Sequence, residues 1–182
     1  ANNTLTGRYA VFTSYNAEHM NFENNTVSSD WNYAVYNRNS DYLVFRYNNI
    51  SATNFYAVYD VLGGRSVFDS NTIYVDGERG IFLNDGTYSN VTNNLVDVSD
   101  RYGIVLYDQG SYDNLVDSNN VTCDHSCIGI IYPSGPDNNN ISNNRISSRF
   151  RGIDISQKAD NNIVEYNEIN SSGYYAIFIT DE

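Results

Sequence analysis

Several residue types are scarce in this chain, and each scarcity excludes something. Its 182 residues include ten Lys or Arg, two His, two Cys and one Met. Against those ten cations stand 22 Asp or Glu, giving a formal net charge of −12. So acidic a surface repels phosphate backbones and anionic headgroups, which excludes nucleic acid and acidic membranes as partners. No apolar run approaches the length of a membrane span, so no membrane segment is expected. A helical period is also missing, because no stretch offers ten residues of i, i+3, i+4 apolar spacing. The sole methionine is Met20, so Ala1 reads as a processed N-terminus or the edge of an excised domain.

What is present is a repeat. An asparagine returns once every 22 to 25 residues, two positions before an aliphatic residue. The column is Asn3, Asn25, Asn48, Asn71, Asn94, Asn119, Asn144 and Asn167, followed by Leu5, Val27, Ile50, Ile73, Val96, Val121, Ile146 and Ile169. A second column pairs a small residue with a β-branched one. Its small members are Ala10, Ala34, Ala57, Gly80, Gly103, Gly129, Gly152 and Ala176, spaced 24, 23, 23, 23, 26, 23 and 24. Self-similarity at this period is the signature of a stacked repeat. Each copy holds three short runs rich in Val, Ile, Tyr and Phe, bounded by Asn, Asp, Ser and Gly. The expected fold is therefore all-β: a parallel β-solenoid of about eight turns of about 23 residues, three strands per turn, with an asparagine ladder. At the strand spacing of roughly 4.8 Å, eight turns make a rod of about 38 Å.

Inside such a rod, like stacks on like. Two positions after the small residue should face solvent, and the positions either side of that should face inward. The inward set includes Leu83, Leu106, Ile155 and Ile179, but Thr13, Asn37 and Asp60 in the first three turns. The run before each asparagine is expected to contribute Phe22, Val44, Val67, Val91, Leu115, Ile141 and Ile163. The asparagine itself can adopt a left-handed turn conformation, and its amide can bond stacked copies and turn backbone. Neither end of the chain carries a cap signal, so the expectation is one domain over residues 1–182 without its own end caps.

The pattern Asn-x-Ile, a small turn, then Gly/Ala-Ile-x-Ile resembles the right-handed parallel β-helix repeats of the pectin-lyase-like superfamily. It is most similar to the Asn-rich variety of secreted and surface-anchored microbial proteins, including periplasmic copper-binding repeats. The resemblance implies a right-handed coil over the whole chain. It does not fix a function, because that superfamily includes lyases, hydrolases, epimerases, phage tailspikes and non-catalytic surface modules. Metal delivery, which the copper-binding branch suggests, lacks His or Met clusters here.

Two columns of the second run mark a candidate binding or assembly face. One holds Phe12, Tyr36, Tyr59, Phe82 and Phe178, and the other Tyr9, Tyr33, Tyr56, Arg79 and Tyr102. Flanked by a floor of Ala and Gly, this stripe should exceed the apolar surface a monomer usually exposes. Aromatic rows with interspersed Arg stack on sugar rings or anchor a protein interface. Candidate partners are other copies of the chain, neighbouring domains of a larger surface protein, or a polysaccharide.

For catalysis, the charged cluster is Arg151 and Asp154, with Arg149 and Lys158 in the flanking turns. Glycoside hydrolysis needs two facing carboxylates, and the stripe offers one. No cofactor is called for, although calcium is the ion that Asp85, Asp108 and Asp60 would suit. Cys123 and Cys127 stand in the turn with the widest spacing and suit a local disulfide. A zinc site there lacks two ligands, since His19 lies five turns from His125. Seven N-x-[ST] sequons, at Asn2, Asn24, Asn49, Asn90, Asn120, Asn140 and Asn170, are glycosylation candidates. Together these favour an extracellular or cell-surface location, with the periplasm as the alternative. The expected role is structural or adhesive, with a polysaccharide-binding or polysaccharide-cleaving module as the runner-up.

Overall fold

The computed structural model describes residues 2–131, 135–156 and 158–180; Ala1 lies outside them. All regular structure among the described residues is parallel β, wound as a right-handed solenoid. Each coil contributes one strand to each of three sheets. In coil 4 these are Thr72–Val75, Arg79–Asn84 and Asn90–Thr92. We call the corresponding sheets A, B and C; A and B have eight strands and C has seven. Register never slips between coils: Ile50, Ile73, Val96 and Val121 stack in sheet A, and Val58, Ile81 and Ile104 in sheet B.

The asparagine ladder closes the corner between sheets C and A. Asn71 Oδ1 accepts from the backbone N of Asn48 at 3.0 Å and from its Nδ2 at 3.0 Å. Asn71 in turn donates to Asn94 Oδ1 at 2.9 and 3.0 Å, while its Nδ2 also reaches Phe45 O at 2.9 Å. The same bonds link Asn3 through Asn167, so corner backbone that the core would strand is satisfied. The left-handed conformation does not fall on the ladder residue, as expected from its amide, but on the one before it. Asn24, Tyr47, Ser70, Asn93, Ser118, Asn143 and Tyr166 all have φ between 54° and 57°. The ladder asparagine is thereby free to aim its amide along the rod.

A second ladder, at the corner between sheets B and C, was not anticipated. Ser66 N donates to Ser89 Oγ at 3.1 Å, Ser89 N to Asn114 Oδ1 at 2.8 Å, and Asn114 N to Asn139 Oδ1 at 2.9 Å. Asn139 passes the chain to Asn162 through both N and Nδ2.

Sheet C corrects the expected core. Phe22, Phe45, Phe68, Val91, Val116, Ile141 and Val164 stack inward. Val44, Val67, Leu115 and Ile163 therefore face outward. A one-residue shift reverses every side chain, and runs of three residues give the pattern little to resist it. Inside, Phe22 and Phe45 stack at 4.6 Å and Phe45 and Phe68 at 5.6 Å between ring centroids.

The small column is corrected too. Ala34 and Ala57 are fully buried in the core, and a Cβ on Gly80 would stand 2.6 Å from Val96 Cγ1. These residues face inward where sheet A bends into sheet B, and strand pairing skips them. They form no floor beside the aromatics. In coil 6 the residue in register with Gly103 and Gly152 is Cys127, not Gly129, giving spacings of 24 and 25 in place of 26 and 23. Cys127 meets Cys123, the inward end of its sheet-A strand, in a disulfide with a Cα–Cα distance of 5.3 Å. The bridge joins the two positions that Val98 and Gly103 occupy in the preceding coil.

Candidate functional site

Sheet B has the longest strands, six residues each, so its outer face is the broadest on the rod. In coils 1 to 3 that face is aromatic. Phe12, Tyr36 and Tyr59 follow one another at 5.4 Å, and Tyr9, Tyr33 and Tyr56 run beside them at 5.9 and 5.3 Å. Cross-row contacts such as Tyr33–Tyr59 at 5.0 Å lock the two rows into one sheet of rings. Burial, followed by the neighbouring Tyr56 and Tyr59 hydroxyls, pushes the Tyr33 phenol up to about 12. Phe12 and Tyr9 remain 55% and 42% exposed.

The stripe does not run the length of the rod. Arg79 lies over Phe82 at 4.3 Å and over Tyr56 at 4.8 Å, and its Nη1 donates to Tyr56 OH at 2.7 Å. Phe82 is thereby covered to 3% exposure, which corrects its expected place on the contact face. Tyr102 borders the capping arginine, whose guanidinium lies 5.6 Å from its ring. Phe178, at the far end, lies 3.8 Å beneath Arg151. The six rings of coils 1 to 3 form the continuous patch.

Beyond Arg79 the outer face changes character. Val105, Gly129 and Asp154 succeed one another and are all buried. Asp154 Oδ2 accepts from Arg151 Nη1 at 2.7 Å and from Ser126 Oγ at 3.1 Å. His125 Nδ1 stands 3.0 Å from Ser126 Oγ. Because the serine proton goes to Asp154, Nδ1 carries a hydrogen and Nε2 is the acceptor. Burial, then the nearby Arg151, lowers the His125 pKa and favours the neutral ring. His125 also lines a corner cleft of about 640 Å³ together with Asp100, Asp124, Arg149, Phe150 and Tyr174. Its ring stacks on Phe150 at 5.0 Å, and Phe150 meets Tyr174 edge-on at 4.9 Å.

The structure thus joins the two catalytic candidates, Arg151 and Asp154, as an ion pair. It separates the rest of their expected cluster. Arg149 pairs with Asp124 at 3.4 Å at one end of the strand, and Lys158 lies in the turn at the other. Of the expected calcium column, Asp85 and Asp108 sit in neighbouring coils, and burial, then the nearby Asp108, opposes ionisation of Asp85, whose Oδ1 accepts from Gly110 N at 2.9 Å, whereas Asp60 points into the core. Among the described residues no three His, Cys, Asp or Glu converge to hold a metal ion. His19 stacks on Tyr42 at 4.6 Å, far from His125 along the rod. All seven sequons fall on sheets A and C or their corner, and none on sheet B; Asn140 alone is half-buried.

Sequence reasoning missed the corner cleft, because its lining comes from the irregular turns between sheets A and B in four successive coils. It also missed the Ser126–His125 link, because a small column running through Gly129 puts Ile128, and not Ser126, in register with Tyr102. A family model described as the right handed beta helix region matches residues 9–169. No curated protein and no solved structure matches the chain.

Proposed function

The chain belongs to the right-handed β-helix family, and from that premise we propose a non-catalytic structural or adhesive module of the cell exterior that makes contact through sheet B. The observation that carries this reading is the patch of six interlocked rings across coils 1 to 3. Such rings offer large apolar area at little rotamer cost, with phenolic hydroxyls to satisfy a partner. A local disulfide and an acidic, Arg-over-Lys composition fit an oxidising, exterior compartment.

The test replaces Phe12, Tyr36 and Tyr59 together with Ser. None of the three belongs to the inward columns, so the variant is expected to fold and melt cooperatively. Its association with other chains, read by sedimentation, and its glycan binding, read on an array, should both be lost. Unchanged association and unchanged glycan binding together would overturn the proposal.

The corner cleft favours a second reading, a carbohydrate-active module. A neutral His125, two carboxylates at Asp100 and Asp124, and the Phe150–Tyr174 platform suit a polyhydroxylated ligand. On this reading His125→Ala and Phe150→Ala abolish binding or depolymerisation of a polysaccharide, while the triple Ser variant retains it.

A further inference from the structure

The faces of this acidic rod carry very different charge. Among the described residues, Asp60 and Asp154 are the only acidic ones in sheet-B strands. Neither presents a free charge to solvent: Asp60 points inward, and Asp154 is buried against Arg151 at 2.7 Å. Beyond that pair the same strands carry Arg38 and Arg79, with Arg38 exposed at the edge of the aromatic patch. In a chain of net charge −12, sheet B is therefore a ring-covered, cationic surface.

Sheet C is its complement. Its strands carry Glu23, Asp69, Asp117 and Glu165 against a single Arg46, which pairs with Asp69 at 3.6 Å. Beside that acidic row runs an outward row in which Val44, Val67, Leu115 and Ile163, the last 54% exposed, are interleaved with Asn21, Asn90 and Asn140. No packing inside the rod accounts for those four, because Phe45, Phe68, Val116 and Val164 already fill the core beneath them. Two of the acids are held in place. Asp69 accepts from Thr92 Oγ1 at 2.8 Å and Asn93 Nδ2 at 2.9 Å, and Asp117 accepts from Ser142 Oγ at 2.7 Å and Asn143 Nδ2 at 2.7 Å. Partial burial works against their ionisation, yet these bonds keep both carboxyls below the usual range.

We propose that the occupant of the sheet-B face is a second copy of this chain, presenting its sheet C. Aromatic rings and Arg38 of one rod lie against the aliphatic row and acids of the next. This deepens the contact-module reading and rests on it. Both faces repeat once per coil, at the strand spacing of about 4.8 Å, so rungs of one rod meet rungs of its neighbour in phase. Pairing B with B sets arginine against arginine, and pairing C with C sets acid against acid. A B-to-C contact is heterologous and does not close on itself, so it extends into a row of rods.

The experiment is a charge swap read by sedimentation velocity over a concentration series of the purified chain. The wild type is expected to show species growing beyond the dimer. Arg38→Glu makes sheet B acidic, and Glu23→Lys with Glu165→Lys makes sheet C basic; all three positions are solvent-facing. Each variant alone should associate at least about tenfold more weakly. Mixed in equal amounts they should assemble again, because each now offers the face the other lacks. A wild type that stays monomeric up to its solubility limit overturns the proposal, as does a closed dimer. Association that is lost in the aromatic Ser variant but indifferent to the swaps also overturns it, and leaves the broader contact reading standing.

Discussion

Coils 1 to 3 and coils 5 to 7 share a backbone and invert their sheet-B chemistry. In Tyr56–Val61 the inward positions hold Val58 and Asp60 and the outward one Tyr59; in Tyr102–Tyr107 they hold Ile104, Leu106 and Val105. The first half is thus polar within and aromatic without. Its polar residues form a string in which Thr13 Oγ1 donates to Asn37 Oδ1 at 2.7 Å and Asn37 Nδ2 donates to Asp60 Oδ1 at 2.7 Å. The string ends where Asp60 stacks on Leu83, which cannot continue it; Asp60 Oδ2 is enclosed without a bond of regular geometry, although the Ser66 hydroxyl lies near enough to favour its charged form. The rings stacked along sheet C, Phe22, Phe45 and Phe68, restore apolar volume to that half. A solenoid tolerates such inversion because each coil answers mainly to its neighbours. The half that spends aromatics outside is the half that carries the contact patch.

Core truncation should expose the contrast most strongly. Leu106→Ala opens a cavity in the aliphatic column and is expected to cost about 3–5 kcal/mol, whereas Thr13→Ala near the rod end should cost about 1 kcal/mol. Equal costs in chemical denaturation would erase the distinction between the halves.

The buried carboxyl of the first half predicts a pH dependence of its own. Burial pushes Asp60 up to about 7 from its ordinary 3.8, outweighing the Asn37 bond and the Ser66 hydroxyl. A raised acid pKa means the folded state holds its proton more tightly, so this stability is complete below about pH 4 and is lost as pH rises through 7. The loss approaches about 4 kcal/mol on linkage arithmetic. Asp60→Asn should match wild type near pH 4 and exceed it at pH 8. A gap that stays constant across that range contradicts the assignment.

Ladder substitutions are expected to be milder. Asn94→Ala in mid-rod should cost about 1–3 kcal/mol, since it strands the amides it serves. Asn3→Ala, at an exposed end, should cost far less, and equal melting shifts at both sites would argue against a cooperative ladder.

The fold was legible because stacking forces like onto like: the asparagine column and the sheet-A aliphatics stand in the structure as the period placed them. Legibility failed where runs were short or mimicked. Val-Phe-Arg and Leu-Val-Asp each admit two registers, and only the neighbouring coil selects Phe45 and Val116 as inward. Gly129-Ile130 imitated the small column while Cys127 occupied it. The second ladder left a trace in Asn114, Asn139 and Asn162, again two before an aliphatic residue, with serines standing in earlier coils. Burial of Phe82 depended on Arg79 folding over it, which spacing alone does not reveal.

Oxidative footprinting of tyrosines, at dilute and at associating concentrations of the wild-type chain, tests the central claim most directly. The account predicts that Tyr9, Tyr36 and Tyr59 become protected on association while Tyr174, 73% exposed on a different corner, does not. Labelling of Tyr9, Tyr36 and Tyr59 that is unchanged when the rods associate would contradict it.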